Sequence, residues 1–193
     1  MSNEANQIGD QSTIHEAAHV VACVDGDIRI VDVSLEPFGF HGGITRYEPP
    51  ASTWMRWQRD YPDRTWIDLL ITHVRMVLAG PVADKVFGVA KARRQRRWPK
   101  EHVTDDREIN RLLVTLQKLG HALNLEQLES EARELVVRRR DDIQRIATEL
   151  KRRRSLTARM VARIIREGAN FKPRGGYVPP HWSHGKRPGL YHP

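Results

Sequence analysis

Apolar residues recur at helical spacing through most of this chain. Ile14, Ala18 and Val21 stand at i, i+4 and i+7, with Ala17 and Val24 widening the stripe, which predicts a helix over 12–24. Asp25-Gly26-Asp27 closes it, because glycine can take the left-handed conformation at a helix exit. Residues 28–36 are β-branched and partly alternating and predict a strand. Pro37, Gly39, Gly42 and Gly43 then make a tight return into a partner strand over 43–47. Residues 49–64, with Trp54, Trp57 and Tyr61, show no period and read as irregular. Thr65 opens a helix with Trp66, Leu69, Leu70, His73, Val74, Val77 and Leu78 on one face. Gly80-Pro81 should kink or interrupt that helix, with a short piece continuing to Phe87. A helix from about 104 follows, carrying Ile109, Leu112, Leu113, Leu116 and Leu119 up to Gly120. Residues 123–154 fit one long amphipathic helix through Leu128, Ala132, Val136, Ile143, Ile146 and Leu150, and Ser155 caps a last helix to about 168. The expected fold is mainly α (α+β), with a small β-hairpin beside the first helix. Residues 1–11 read as a flexible leader, 12–168 as the folded body, and the Pro-, Gly- and His-rich 169–193 as a mobile tail.

Composition narrows the class. With 193 residues, 39% hydrophobic and 29% charged, the chain can bury a core. A single cysteine excludes a disulfide-stapled scaffold and a four-cysteine zinc knuckle. No uninterrupted apolar run approaches the ~20 residues of a membrane span, and the N-terminus lacks a signal pattern, so the expectation is a cytoplasmic protein. Lys+Arg 32 against Asp+Glu 24 gives +8, which invites an anionic partner. The densest basic stretch, residues 91–100, holds six cationic side chains and no acid, and its Trp98 is available to stack on a base. Arg138 to Arg140 and Lys151 to Arg154 lie among acids such as Glu131, Glu134, Asp141 and Asp142, and read as solvated helix surface.

The chemistry concentrates in His15-Glu16-Ala17-Ala18-His19, an HExxH sequence inside the first predicted helix. Residues four apart share a helix face, so both imidazoles can reach one cation, and neutral imidazole suits Zn²⁺. Glu16 is rotated away, where it can act as a general base on a water polarised by that cation. A purely structural reading also exists, in which Thr13 and Glu16 form a capping box. Catalytic zinc needs a third protein ligand. Asp25 stands ten residues after His15, at a spacing known for such ligands; the pair Asp105-Asp106 opens a helix whose positive end favours an ionised carboxylate. His41, His73 and His102 are weaker candidates, His73 reading as a packed core histidine.

HEAAH, the strand segments around residues 31–37 and 40–45, and the small-residue stretch 78–88 ending in Phe87-Gly88 resemble, in that order, the peptidase domain of FtsH-type AAA+ zinc metallopeptidases. The likeness spans about residues 12–168. It implies a helical peptidase domain, with Zn²⁺ held by His15, His19 and an aspartate of the helix at 104, and with Glu16 as base. Register selects Asp105 over Asp106, because Ile109, Leu112, Leu113 and Leu116 then fall where that family's helix buries small or apolar residues. The implied activity is hydrolysis of peptide bonds in extended or unfolded polypeptides, with a ring of subunits or a separate AAA+ motor as partner. The chain departs from the family at Ala18, where glycine is usual, and at Pro81, in a helix that normally runs through. It also contains no GxxxxGK[ST] phosphate loop. A substrate is expected to add as a strand to the exposed sheet edge, with Phe38, Phe40 and Trp54 available for apolar contacts. The competing expectation is a non-catalytic basic adaptor that binds nucleic acid or a protein partner.

Overall fold

The computed structural model describes residues 2–35, 43–89 and 104–167, which are mainly helical with one small antiparallel sheet. Helix α1 spans Ser2–Asp25, so helical backbone begins well before the predicted start and covers the segment read as a leader. From Thr13 to Val24 every residue of α1 is buried except Ile14, which is half-buried. Helices α3 (Trp66–Val86) and α6 (Arg140–Arg153) pack against it, and the sheet closes a further side. Ala17 and Ala18, fully buried, let these neighbours approach.

The exit of α1 differs from expectation in its physical cause. The residue with positive φ is Asp27 (φ 52), not Gly26. Gly26 is needed for space instead, since a Cβ there would meet Thr72 Cγ2 of α3 at 2.6 Å. Asp27 is held by Arg56, whose Nη1 donates to Oδ2 at 2.7 Å and Nη2 to the backbone carbonyl at 2.6 Å. Arg56 and Trp57 belong to helix α2, Pro50–Asp60, in the stretch expected to be irregular. Pro50 occupies the first turn, where its missing N–H costs nothing, and the burial of Trp57 anchors the helix.

Strands β1 (Ile30–Ser34) and β2 (Ile44–Tyr47) form the predicted hairpin, and β3 (Ser155–Thr157) adds to it in the order β2-β1-β3. Val33 pairs with Thr45 on one side and Leu156 on the other, placing Val33 and Leu156 over the helices. Ser155 is therefore a strand residue rather than a cap, and the side chain of Thr157 accepts from Met160 N at 3.4 Å at the start of α7 (Ala158–Glu167). Strand β2 lies at the edge of this sheet.

Helix α3 opens with a capping box between Thr65 and Asp68 and runs unbroken through Pro81. Proline in a helix interior costs about 3 kcal/mol, and here burial of Val77, Leu78, Ala79, Val82 and Ala83 around it offsets that cost. By length and composition α3 is the one described helix that could cross a bilayer, but 61% of its most apolar window is buried in this fold. Helix α4 (Thr104–Lys118) packs Ile109, Leu112 and Leu116 into the core as predicted. The single helix expected over 123–154 is two, α5 (Leu125–Arg138) and α6, divided at Arg139. The apolar period carries across that break, so the break leaves no trace in the pattern. The arginines around it form ion pairs within the chain, Arg138 with Asp25 and Arg139 with Asp142, as Arg152 does with Glu149 further along α6.

Candidate metal centre

Three elements meet over the middle of α1. His15 and His19, one turn apart, point their Nε2 atoms at each other 3.1 Å apart. From α4, Asp105 Oδ2 approaches His15 Nε2 at 2.9 Å and His19 Nε2 at 3.7 Å. Asp105 stands in the first turn of α4, where the helix dipole favours an ionised carboxylate. His15, His19 and Asp105 thus form a group that could hold a metal ion, their ligand atoms lying within 4.8 Å of one another.

The outer nitrogens fix how the rings present themselves. His15 Nδ1 lies 3.0 Å from Asp84 Oδ2, and His19 Nδ1 lies 2.9 Å from the carbonyl oxygen of Met76. Each Nδ1 faces an acceptor, so each carries the proton, and the Nε2 lone pairs face inward. Both acceptors come from α3. Gly80 of the same helix passes so close that a Cβ there would lie 2.4 Å from His19 Nε2 and 2.8 Å from His15 Cε1. Only a residue without a side chain fits beneath the two rings.

The site demands positive charge. Burial disfavours an imidazolium at His15, yet Asp105 and Asp84 at its two nitrogens outweigh this and raise its pKa to about 10. Burial works equally against charge on Asp105, and His19 and His15 prevail, holding its carboxyl well below the ordinary range. A proton on His15 meets the demand in one way, and a divalent cation among the three ligand atoms meets it in another. Asp105, with 22% of its side chain exposed against 8% for each histidine, marks the open side.

Glu16 faces the sheet. Thr45 Oγ1 on β2 donates to Glu16 Oε2 at 2.7 Å, and Gly43 stands where a Cβ would meet Glu16 Cγ at 2.6 Å. The capping-box reading of Thr13 and Glu16 fails, because Thr13 lies inside α1 and the Glu16 carboxylate is bound to β2.

Of the other candidates, Asp25 sits at the far end of α1, paired with Arg138 at 3.1 Å. Asp106 is exposed and outside the group, and His73 is buried with neither ring nitrogen hydrogen-bonded among the described residues. Trp54 packs edge-on against Trp66, ring centroids 5.8 Å apart. His41, His102, Phe38, Phe40, the basic stretch 91–100 and the tail 169–193 lie outside the described residues. Asp84, Gly80, Gly43 and Thr45 were not foreseen. Asp84 left one trace in the sequence: it is an acid at the end of a long apolar helix, and a carboxylate buried there requires a partner. No protein-family model matches this sequence, and no curated protein matches it.

Proposed function

We propose that the protein is a zinc-dependent metalloendopeptidase that cleaves extended or unfolded polypeptides, akin to the FtsH-type peptidase domains it resembles. The ligand triangle carries this reading, with sides of 2.9, 3.1 and 3.7 Å between His15 Nε2, His19 Nε2 and Asp105 Oδ2. Ligands about 2.0–2.1 Å from a tetrahedral zinc stand about 3.3 Å from one another, and the three sides bracket that value. Two nitrogens and one oxygen are a donor set zinc accepts, and three protein ligands leave one corner open.

Bound there, zinc would polarise a peptide carbonyl and lower the pKa of a water. The residues supply the rest. Asp84 and the Met76 carbonyl keep both Nε2 lone pairs inward, so no ring must turn during turnover. Thr45 anchors Oε2 of Glu16 and leaves Oε1 to receive the water's proton and pass it to the departing amine. Thr45 belongs to edge strand β2, so a peptide added alongside β2 would run past Glu16 in extended form. Such backbone pairing tolerates many sequences. The helical arginine runs, paired within the chain, lend no support to a nucleic-acid adaptor.

The test combines metal analysis with an unstructured substrate such as casein. The parent should hold one zinc per chain and cleave; His15→Ala should lose the metal; Glu16→Gln should keep it and lose at least about 100-fold in rate. Equal cleavage by Glu16→Gln and the parent removes Glu16 as base. A parent that takes up no divalent metal removes the whole reading.

A further inference from the structure

The positive charge of this chain is unevenly placed. Residues 151–193 hold eleven of its 32 lysines and arginines and one of its 24 acids, a net +10, whereas residues 1–150 carry −2. The excess of the whole molecule therefore begins at the end of α6. Charge gathered in this way favours a polyanionic partner.

Helix α7 shows how part of that charge is laid out. Arg159, Arg163 and Arg166 are exposed and stand at i, i+4 and i+7, within about 60° of arc and about 10 Å along the axis. Val161 and Ile165, on the opposite side, are buried in the core. The helix is thus held by its apolar side and presents a stripe of guanidinium groups. Arg159 and Arg166 pair with no acid among the described residues. Arg163 reaches only Glu167, at 3.8 Å with both side chains more than half exposed, a pairing worth little in water. Just before α7, Arg152 and Arg153 share the one carboxylate of Glu149. Arg138 and Arg139 differ, since each meets an acid of its own, Asp25 and Asp142.

Six of the seven cations over 151–166 are arginine, whose planar fork matches phosphate oxygens. Phosphates line both nucleic acids and lipid surfaces. A helix lying in a membrane surface buries its apolar side there, but the apolar side of α7 is taken by the core, and no large apolar side chain is exposed over 151–167. In the sequence beyond α7, residues 169–193 contain four cations and no acid, with Phe171, Tyr177, Trp182 and Tyr191 set singly among them. Basic residues interleaved with aromatic ones suit a strand whose bases are free to stack.

We infer that the outer face of α7 binds single-stranded nucleic acid through its phosphates. Such contacts tolerate many sequences. The surface is independent of the hydrolase reading, since no candidate metal ligand belongs to α7.

Fluorescence anisotropy of labelled 20-nucleotide poly(dT), read with the full chain in excess chelator, tests this apart from any metal. Binding should appear at about 50 mM salt and weaken steeply as salt rises. The triple variant Arg159→Gln, Arg163→Gln, Arg166→Gln should bind at least about tenfold more weakly and lower the salt slope by about 2, because each phosphate contact on a single strand adds about 0.7. A second triple variant, Arg59→Gln, Arg133→Gln, Arg138→Gln, removes the same charge from other exposed positions and should change affinity by less than about threefold. Far-ultraviolet circular dichroism shows whether each variant is folded. Should the α7 variant fail to fold, Arg159→Gln and Arg166→Gln singly decide the matter, each lowering the slope by about 0.7. Three outcomes overturn the inference: no anisotropy change up to about 50 μM protein, equal loss in the two triple variants, or displacement of poly(dT) by polyglutamate of equal charge. Binding to vesicles of phosphatidylserine and phosphatidylcholine (about 3:7) without binding to poly(dT) would make this a lipid contact and overturn it equally.

Discussion

Replacing Gly80 by alanine adds one methyl group beneath the two imidazoles. That carbon would lie 2.4 Å from His19 Nε2, and ordinary contact begins at 3.4 Å, so the ring must retreat by about 1 Å (3.4 less 2.4). Metal–ligand bonds hold to within about 0.2 Å, so His19 cannot keep its place in the triangle. Losing a ligand exceeds the 10- to 100-fold typical of disturbing a ligand's supporting bonds, so metal affinity should drop by at least about 100-fold, or ~2.7 kcal/mol. Stability without metal should behave differently. Alanine in a helix interior gains up to about 1 kcal/mol over glycine, which offsets the ~1 kcal/mol lost with the bond from His19 Nδ1 to Met76. The metal-free Tm of Gly80→Ala should therefore stay within about 4 °C of the parent's. Competition against a chromophoric chelator gives the affinity, and thermal unfolding in excess chelator gives the stability. A variant that binds one equivalent within about threefold of the parent's affinity would refute the convergence of His15, His19 and Asp105 on one cation.

Two further outcomes are expected. Asp84→Asn exchanges a carboxylate for an amide that can turn its NH₂ toward His15 Nδ1 and so favour the wrong tautomer, and it should weaken metal binding by about 10- to 100-fold with the fold intact; chelator competition unchanged from the parent would show that Asp84 does not set the ring. His73 concerns pH. Burial, with Arg111 opposing Glu108, pushes its pKa from 6.5 to about 4. The native state thus binds fewer protons than the unfolded chain between those values, so the His73 contribution is full above pH 6.5 and is lost as pH falls toward 4, by roughly 3 kcal/mol. Denaturant unfolding of His73→Leu and the parent from pH 7 to 4 should show a gap that shifts in the variant's favour below pH 6.5, and a constant gap would be the contrary result.

Local pattern determined a good deal about this protein. The spacing of His15 and His19 on a helix is a property of five consecutive residues, and no tertiary contact was needed to place both rings on one face. The stripes of α4, α5 and α6 were likewise legible, because a helix that buries one face must repeat apolar residues along it. Where pattern failed, distant contacts outweighed local preference. Pro50 started a helix because Trp57 and Arg56 had Asp27 to bind; Pro81 did not end one because α1 and α5 hold α3 on both flanks; Ser155 joined a sheet because β1 offered it a partner.

The metal centre divides along the same line. Two candidate ligands and the candidate base lie within five residues of one helix and could be named from the sequence. The third candidate ligand is 90 residues from His15, and periodicity alone left Asp25, Asp105 and Asp106 open. Packing brings only one of them to the histidines: α4 crosses α3 with Asp105 turned inward, while the end of α1 carries Asp25 to Arg138 and Arg139. Asp84, Gly80 and Thr45 have meaning only where α3 and β2 press against α1. A helical period says which residues share a face, but not which face of another helix they will meet. That depends on the shapes of all the surfaces at once, and it was settled only when the chain had folded.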